Sequence, residues 1–212
     1  MVPDLNNDQY SQIKRKLGTF PIVSIAPSNQ PLFHTVTFDS YMGGKLAAKN
    51  LIASGYTVFG HIAGPLSKPE ANLRRAGFID EIKKNNFDLK FEFEGDHSYE
   101  SGRQAFKSLN INSFKNLGIF SSNDQMAMGF LSSAIEQNKF LLKSWCIIGY
   151  DNTPSSKIFH PKLSSIDTDL DQLASLSLEK LTTLVQNPSK DESITTTLIP
   201  VSAVMRNTHH SK

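Results

Sequence analysis

One cysteine stands in the whole chain, Cys146, inside an apolar run. An intrachain disulfide is therefore excluded, nothing points to an oxidising compartment, and its surroundings predict a small buried hydrophobe. No apolar run approaches the ~20 residues a membrane-spanning helix needs. Charge is nearly balanced, at +2 over 212 residues, so bulk charge gives no reason to expect nucleic acid or an acidic membrane as partner. The opening stretch MVPDLNNDQY is polar and acidic, unlike a secretory signal peptide, and leads us to expect a cytoplasmic protein. Catalytic signatures are missing as well. No Cys/His cluster has metal-ligand spacing. Neither G-x-G-x-x-G after a strand nor the G-x-x-x-x-G-K-[ST] phosphate loop occurs, and the G-x-S-x-G nucleophile elbow is absent. Ser, His and Asp are present, but no motif singles out a triad. No enzymatic activity, cofactor or metal is expected, and neither an internal repeat nor a long low-complexity tract is found.

What is there is an ordinary foldable composition, 39% hydrophobic and 20% charged, in which two patterns alternate. Short apolar, β-rich runs predict strands at Phe20–Ile25, Thr35–Phe38, Val58–Ala63, Phe91–Glu94, Leu117–Phe120 and Trp145–Gly149. Helical spacing predicts helices over Asp8–Leu17, from Asp39 or Ser40 through Ile52, and over Asn72–Asn85, Ser98–Leu109 and Asp124–Asn138. The tail reads as a brief extended piece at Leu163–Ile166, a long helix Leu170–Val185, a polar loop Pro188–Ser193 and a strand Thr195–Val204. Strands alternating with helices imply an α/β fold with a parallel sheet covered on both faces and right-handed crossovers. In such sheets, ligands bind beyond the carboxyl ends of the strands. The segments to inspect are therefore Gly64 to Glu70, Gly95 to His97, Ser121 to Asp124 and Tyr150 to Asn152.

Each candidate there has two readings. Asp151 either closes an Asx-turn or offers a carboxylate to paired hydroxyls of the kind a sugar presents. Asn123 either caps the following helix or gives a ligand both a donor and an acceptor. Arg74 and Arg75 fall in the first turns of the helix predicted from Asn72, where a cation opposes the macrodipole. They are either surface charges or a planar fork for paired oxygens. His97 is either an exposed loop histidine or a group that stacks on, or hydrogen-bonds to, a ligand.

Taken together, the strand-end segments resemble the effector-binding domain of the LacI/GalR (lactose and galactose repressor) family. The matching stretches are FPIVSI, VTFDSYMGGKLAAKNLIASG, HIAGPLSKPEANLRRAGFIDEI, GDHSYESGRQAF, FSSNDQMAMGF, IIGYDNTPSSKIFHPKLSSIDTDL and IPVSAVMRNT, in family order and spacing. The resemblance implies a periplasmic-binding-protein-like type I fold, two parallel-sheet α/β subdomains with a cleft between them. Crossings would lie near Asp39, near Asp167 to Asp169 and near Ile199 to Val204. On that pattern, residues 1–38 with 168–198 form an incomplete N-terminal subdomain, 39–167 with 199–208 form the effector-binding C-terminal subdomain, and 209–212 are a frayed tail. Carried over residue by residue, Arg74 matches the family's ligand-binding arginine, Asp151 the carboxylate that accepts from effector hydroxyls, and Asn123 a polar cleft residue. His97 takes the place of an aromatic that packs on the effector, and Glu70 and Leu170 fall at further cleft-lining positions. The implied function is that of a small-molecule-sensing regulatory domain, with a sugar such as ribose as effector, a purine as another possibility, and control of DNA binding by a homodimer. The other reading this fold admits is a solute-binding protein of a sugar transporter. The chain departs from the pattern in three ways. Ala26 replaces an acidic residue after the PIVSI-type strand. These 212 residues hold no counterpart of the helix-turn-helix headpiece through which the family reads operator DNA, nor of the first N-terminal-subdomain elements. We therefore expect a fragment, with Asp39–Ser165 well packed and the remainder poorly supported.

Overall fold

The computed structural model describes residues 7–28, 31–110, 113–137, 145–187 and 193–209. Asn138, which ends one predicted helix, lies outside them. So do 188–192 of the predicted polar loop and 210–212 of the predicted tail. The chain forms two compact units, one of Met1–Asp39 with Asp169–Pro200 and one of Ser40–Thr168 with Val201–Lys212.

The first unit contains helix α1 (Asn7–Leu17), strands β1 (Val23–Ser24) and β2 (His34–Phe38), helix α7 (Leu170–Gln186) and strand β8 (Thr196–Ile199). Its sheet is parallel in the order β1-β2-β8, with Thr35 opposite Thr196 and Phe38 opposite Ile199. The strand expected over Phe20–Ile25 shrinks to two residues. Pro21 has no N–H to donate, and β1 finds a partner on one side only. Helix α7 is capped by Asp169, whose carboxylate accepts from the Gln172 N–H at 2.9 Å, yet none of its residues is buried.

The second unit carries the main sheet. Its strands are β3 (Val58–Ala63), β4 (Leu89–Glu94), β5 (Leu117–Ser121), β6 (Trp145–Asp151), β7 (Ser164–Asp167) and β9 (Ser202–Val204). They lie in the order β4-β3-β5-β6-β7-β9, all parallel except for the last pair. The single strand expected over Thr195–Val204 is thus broken. Pro200 separates β8, which extends the first unit's sheet, from β9, which closes the edge of this one in the antiparallel sense.

Period-two alternation sends the central strands' side chains into two cores. Leu117, Ile119, Trp145 and Ile147 join Phe106, Met126 and Phe130 of helices α4 (Tyr99–Ser108) and α5 (Asp124–Glu136) on one face. Phe120, Cys146, Ile148 and Tyr150 join Leu51, Phe78 and Ile82 of helices α2 (Ser40–Ala53) and α3 (Pro69–Lys84) on the other. Each fully buried large side chain contributes on the order of 2 kcal/mol. The helix pairs are seated by glycines. A Cβ on Gly44 would fall 2.0 Å from the Arg74 carbonyl oxygen, and one on Gly77 would fall 1.9 Å from that of Tyr41. Gly102 meets Met126 O at 2.0 Å and Gly129 meets Tyr99 O at 1.9 Å in the same way. The two helix pairs thus form an internal repeat where none was expected: S-Y-x-x-G-[KR] opens α2 and α4, and Gly-Phe lies in α3 and α5. Unequal spacing between the partners hides it from a search for a fixed period.

Two further expectations change. Helix α3 begins at Pro69, not Asn72, because proline fits the first helical position, where its missing N–H costs nothing. Arg74 and Arg75 therefore sit in the second turn. Of the expected frayed tail, His209 is instead held: its Nε2 lies 2.7 Å from Ser54 Oγ. Helix α6 (Pro154–Ile158) completes the unit.

Candidate ligand site

The site is built at the carboxyl ends of β3, β4, β5 and β6, within the second unit. Strand β6 runs apolar until Asp151, and the backbone then turns through two positive φ angles, 101° at Asp151 and 48° at Asn152. Such angles cost energy in residues with a Cβ, so neighbouring contacts must impose them. Asp124, fully buried at the start of α5, supplies the main one. Its Oδ2 accepts from the Thr153 N–H at 2.7 Å and the Thr153 hydroxyl at 3.0 Å, and its Oδ1 accepts from the Ser165 hydroxyl at 2.6 Å. Ser165 Oγ in turn accepts from the Asn152 N–H at 3.0 Å. The Asn152 side chain donates to Asp167 at 2.6 Å and accepts from Arg206 at 2.6 Å. Gly149 is required here, since a Cβ would come within 2.3 Å of Asp124 Oδ1.

This network rules out the Asx-turn at Asp151. In an Asx-turn, its carboxylate would accept from the N–H two residues on, which is that of Thr153. Asp124 already holds that N–H. The Asp151 carboxylate accepts no hydrogen bond among the described residues, and burial pushes its pKa up to about 7, against the pull of Arg74 and with the help of Asp124.

Arg74 reaches the same edge from α3. Its guanidinium carbon lies 3.8 Å from the centre of the Tyr150 ring, and Nη1 donates to the Ser122 carbonyl at 2.7 Å. Nε is buried with no hydrogen-bond partner. Tyr150 can lie there because Gly43 faces it; a Cβ at Gly43 would be 2.5 Å from the ring. The cation thus sits over an aromatic face, a contact that favours arginine over lysine.

His97 adopts φ 70° and lies over Gly64, where a Cβ would sit 1.9 Å from its Nε2. That nitrogen is buried and has no partner. Burial, then Arg74 and Lys68, lower its pKa to about 4, so the ring is neutral near pH 7. Asn123 caps α5, its Oδ1 accepting from the Met126 N–H at 2.9 Å, while its Nδ2 donates to the His97 carbonyl at 2.9 Å. Both ends of the amide are engaged in fixing the loop. Glu70 lies one turn before Arg74, half-buried, with no hydrogen bond or ion pair among the described residues. Leu170 opens α7 in the first unit and is 65% exposed. Sequence reasoning placed Ser122, Asp124 and Tyr150 inside the strand-end segments to inspect but singled out none of them, because what sets them apart is their contacts in space. Among the described residues, no group of three or more His, Cys, Asp or Glu could hold a metal ion, and no helix is long and apolar enough to cross a membrane.

Residues 48–209 match the periplasmic binding protein-like domain. The chain belongs to that family. Its curated relatives are repressors of LacI type, as the strand-end motifs imply. It is 30% identical over 178 residues to the HTH-type transcriptional repressor PurR of Mannheimia succiniciproducens, covering 82% of this chain and 53% of that protein. It is 28% identical over 153 residues to the ribose operon repressor of Escherichia coli, covering 71% of this chain and 46% of the relative. Among solved structures, the lac repressor dimer bound to operator and the anti-inducer ONPF superposes with a TM-score of 0.85 at 28% identity, over 96% of this chain and 61% of that one. The chain spans about half the length of the curated relatives it matches.

Proposed function

We propose that this chain is the effector-sensing part of a LacI-type transcriptional repressor. Its second unit takes a small polyhydroxylated ligand, a sugar such as ribose, at the carboxyl edge of the sheet. Asp151 accepts from ligand hydroxyls, Arg74 donates to a ligand oxygen, and His97 packs on the ligand while offering Nε2. Asn123 fixes the loops between them. The observation that carries this reading is the freed Asp151 carboxylate: a strained, multiply braced turn presents a charged group that no described residue satisfies. A half-buried carboxylate without hydrogen-bond donors is partly desolvated at a cost, and a ligand's hydroxyls reduce that cost.

Control of DNA follows by linkage. A ligand that binds one conformation better shifts the population toward it, and operator affinity changes through the difference. This chain would read DNA only through a headpiece, and as a homodimer, in the cytoplasm where the DNA lies. The names of its relatives, a ribose operon repressor among them, favour this role over solute capture for a transporter and over catalysis.

Thermal-shift and calorimetric titration against pentoses, hexoses, sugar phosphates and purines tests the proposal. We expect a sugar to stabilise the chain, and Asp151→Ala to abolish the shift. A shift that survives this substitution with unchanged affinity overturns the site.

A further inference from the structure

Ser122 is held from three sides. Its N–H donates to the Ile62 carbonyl at 2.8 Å, its carbonyl accepts from Arg74 at 2.7 Å, and its hydroxyl lies 3.1 Å from His61 Nε2. His61 is a fully buried β3 residue whose ring packs against Phe120 at 5.3 Å and Phe78 at 5.7 Å, two rings that also meet each other at 5.2 Å. Its Nδ1 is 3.3 Å from Glu92 Oε1 on β4. Glu92 then receives both arms of Arg75, at 2.7 and 2.8 Å. Serine, histidine and carboxylate stand in the order of an acyl-transfer triad, but Ser122 and His61 are both 0% exposed, so no substrate reaches the hydroxyl. The relay can do geometry, not chemistry.

The hydrogen-bonding roles are fixed. The bonds from His61 and Arg75 hold the Glu92 carboxyl down at about pKa 2, so it is an acceptor only. Burial lowers the His61 pKa and keeps the ring neutral, so its one proton sits on Nδ1 facing Glu92 and Nε2 accepts from Ser122. The relay also separates two adjacent arginines. Arg75 is bound by a carboxylate, whereas Arg74 forms no ion pair among the described residues.

We propose that His61, Glu92 and Arg75 are positioning residues for the ligand-binding arginine: they lock Ser122 so that its carbonyl holds Arg74 over the Tyr150 ring, and they keep Arg75 out of the site. This rests on Arg74 contacting ligand, but its test does not. In the 15N-labelled full chain at pH 7, long-range proton–nitrogen correlation should find His61 protonated at Nδ1 alone. Rotation about the Arg74 Nε–Cζ bond should be hindered in the wild type and at least about tenfold faster in Arg75→Leu, as expected when a restraining hydrogen bond loosens. Arg103→Leu is the matched control, because Arg103 grips Glu136 through two bonds of 2.7 and 2.8 Å elsewhere on the same unit. It should lose as much stability and leave Arg74 unchanged. An Nε2-protonated His61, or equal rotation rates in the two variants, overturns the relay. In a D-ribose titration, Arg75→Leu should bind about five- to tenfold more weakly than wild type. If wild type itself ignores D-ribose, that counts against the proposed sugar alone, and the nitrogen measurements still decide the relay.

Discussion

Asp151 and Asp124 are two carboxylates at one sheet edge with opposite tasks. Asp124 is buried and satisfied by three donors from Thr153 and Ser165. Replacing it with alanine leaves those donors in a dry interior, and we expect a loss of roughly 2–4 kcal/mol in urea unfolding, at about 1 kcal/mol or more per bond. Asp151 is half-buried without donors among the described residues, and its pKa of about 7 exceeds the ordinary value of 3.8. Between those two values the folded state binds a proton that the unfolded state has released. The wild type therefore loses stability as pH rises from about 4 to about 7. Asp151→Asn tolerates the positive φ and carries no charge. It should match the wild type near pH 4 and exceed it above pH 7 by an amount on the order of a few kcal/mol. A variant less stable than wild type at pH 8 would contradict this. The same linkage makes ligand binding pH-dependent. Hydroxyl donors favour the ionised form, so affinity should rise through pH 7, and below it binding should release a proton, read by calorimetry in buffers of different ionisation enthalpy.

At the scale of elements, the site depends on how closely the helices approach. Arg74 reaches Tyr150 from a helix whose backbone touches that of α2 at Gly44 and Gly77. Because the opposing atoms are carbonyl oxygens, no side chain can move aside. Gly77→Ala should cost about 1–3 kcal/mol by overpacking. Gly129→Ala, the equivalent position between α4 and α5, should cost a similar amount but act on the His97 side of the site. Chemical denaturation of both variants checks the equivalence; a cost at one and none at the other would show that the two crossings are not copies. Helix α3 and strands β8 and β9 also show how proline sets element limits, Pro69 by starting the helix early and Pro200 by parting the two strands.

Across the molecule, burial is uneven. The two apolar cores described above lie in the second unit, whereas α7 of the first buries no residue, and Leu170, Leu178 and Val185 are each more than half exposed. Amides that depend on few buried contacts open at low free energy. We expect those of β1 and α7 to exchange at least about a hundredfold faster than those of β5 and β6, a difference of roughly 3 kcal/mol in opening free energy. Equal protection in native-state hydrogen exchange would refute this.

Alternation of apolar runs, glycine stops and cap residues was enough to read the strand–helix order, the parallel sheet and the strand ends where a site belongs, because these are local properties of the chain. Asp151, Asn123 and His97 could be named from those positions, whereas Arg74 was separated from Arg75 only by the family resemblance. What each of them contacts was decided elsewhere. Asp124 frees Asp151 by taking the Thr153 N–H, and the Ser122 carbonyl, just past β5, anchors Arg74 of α3. These partners are distant in sequence, and their pairing follows from strand register and helix approach. A single chain's residue pattern cannot display that, because a hydrogen bond depends on where two groups lie in space and not on how far apart they are in order.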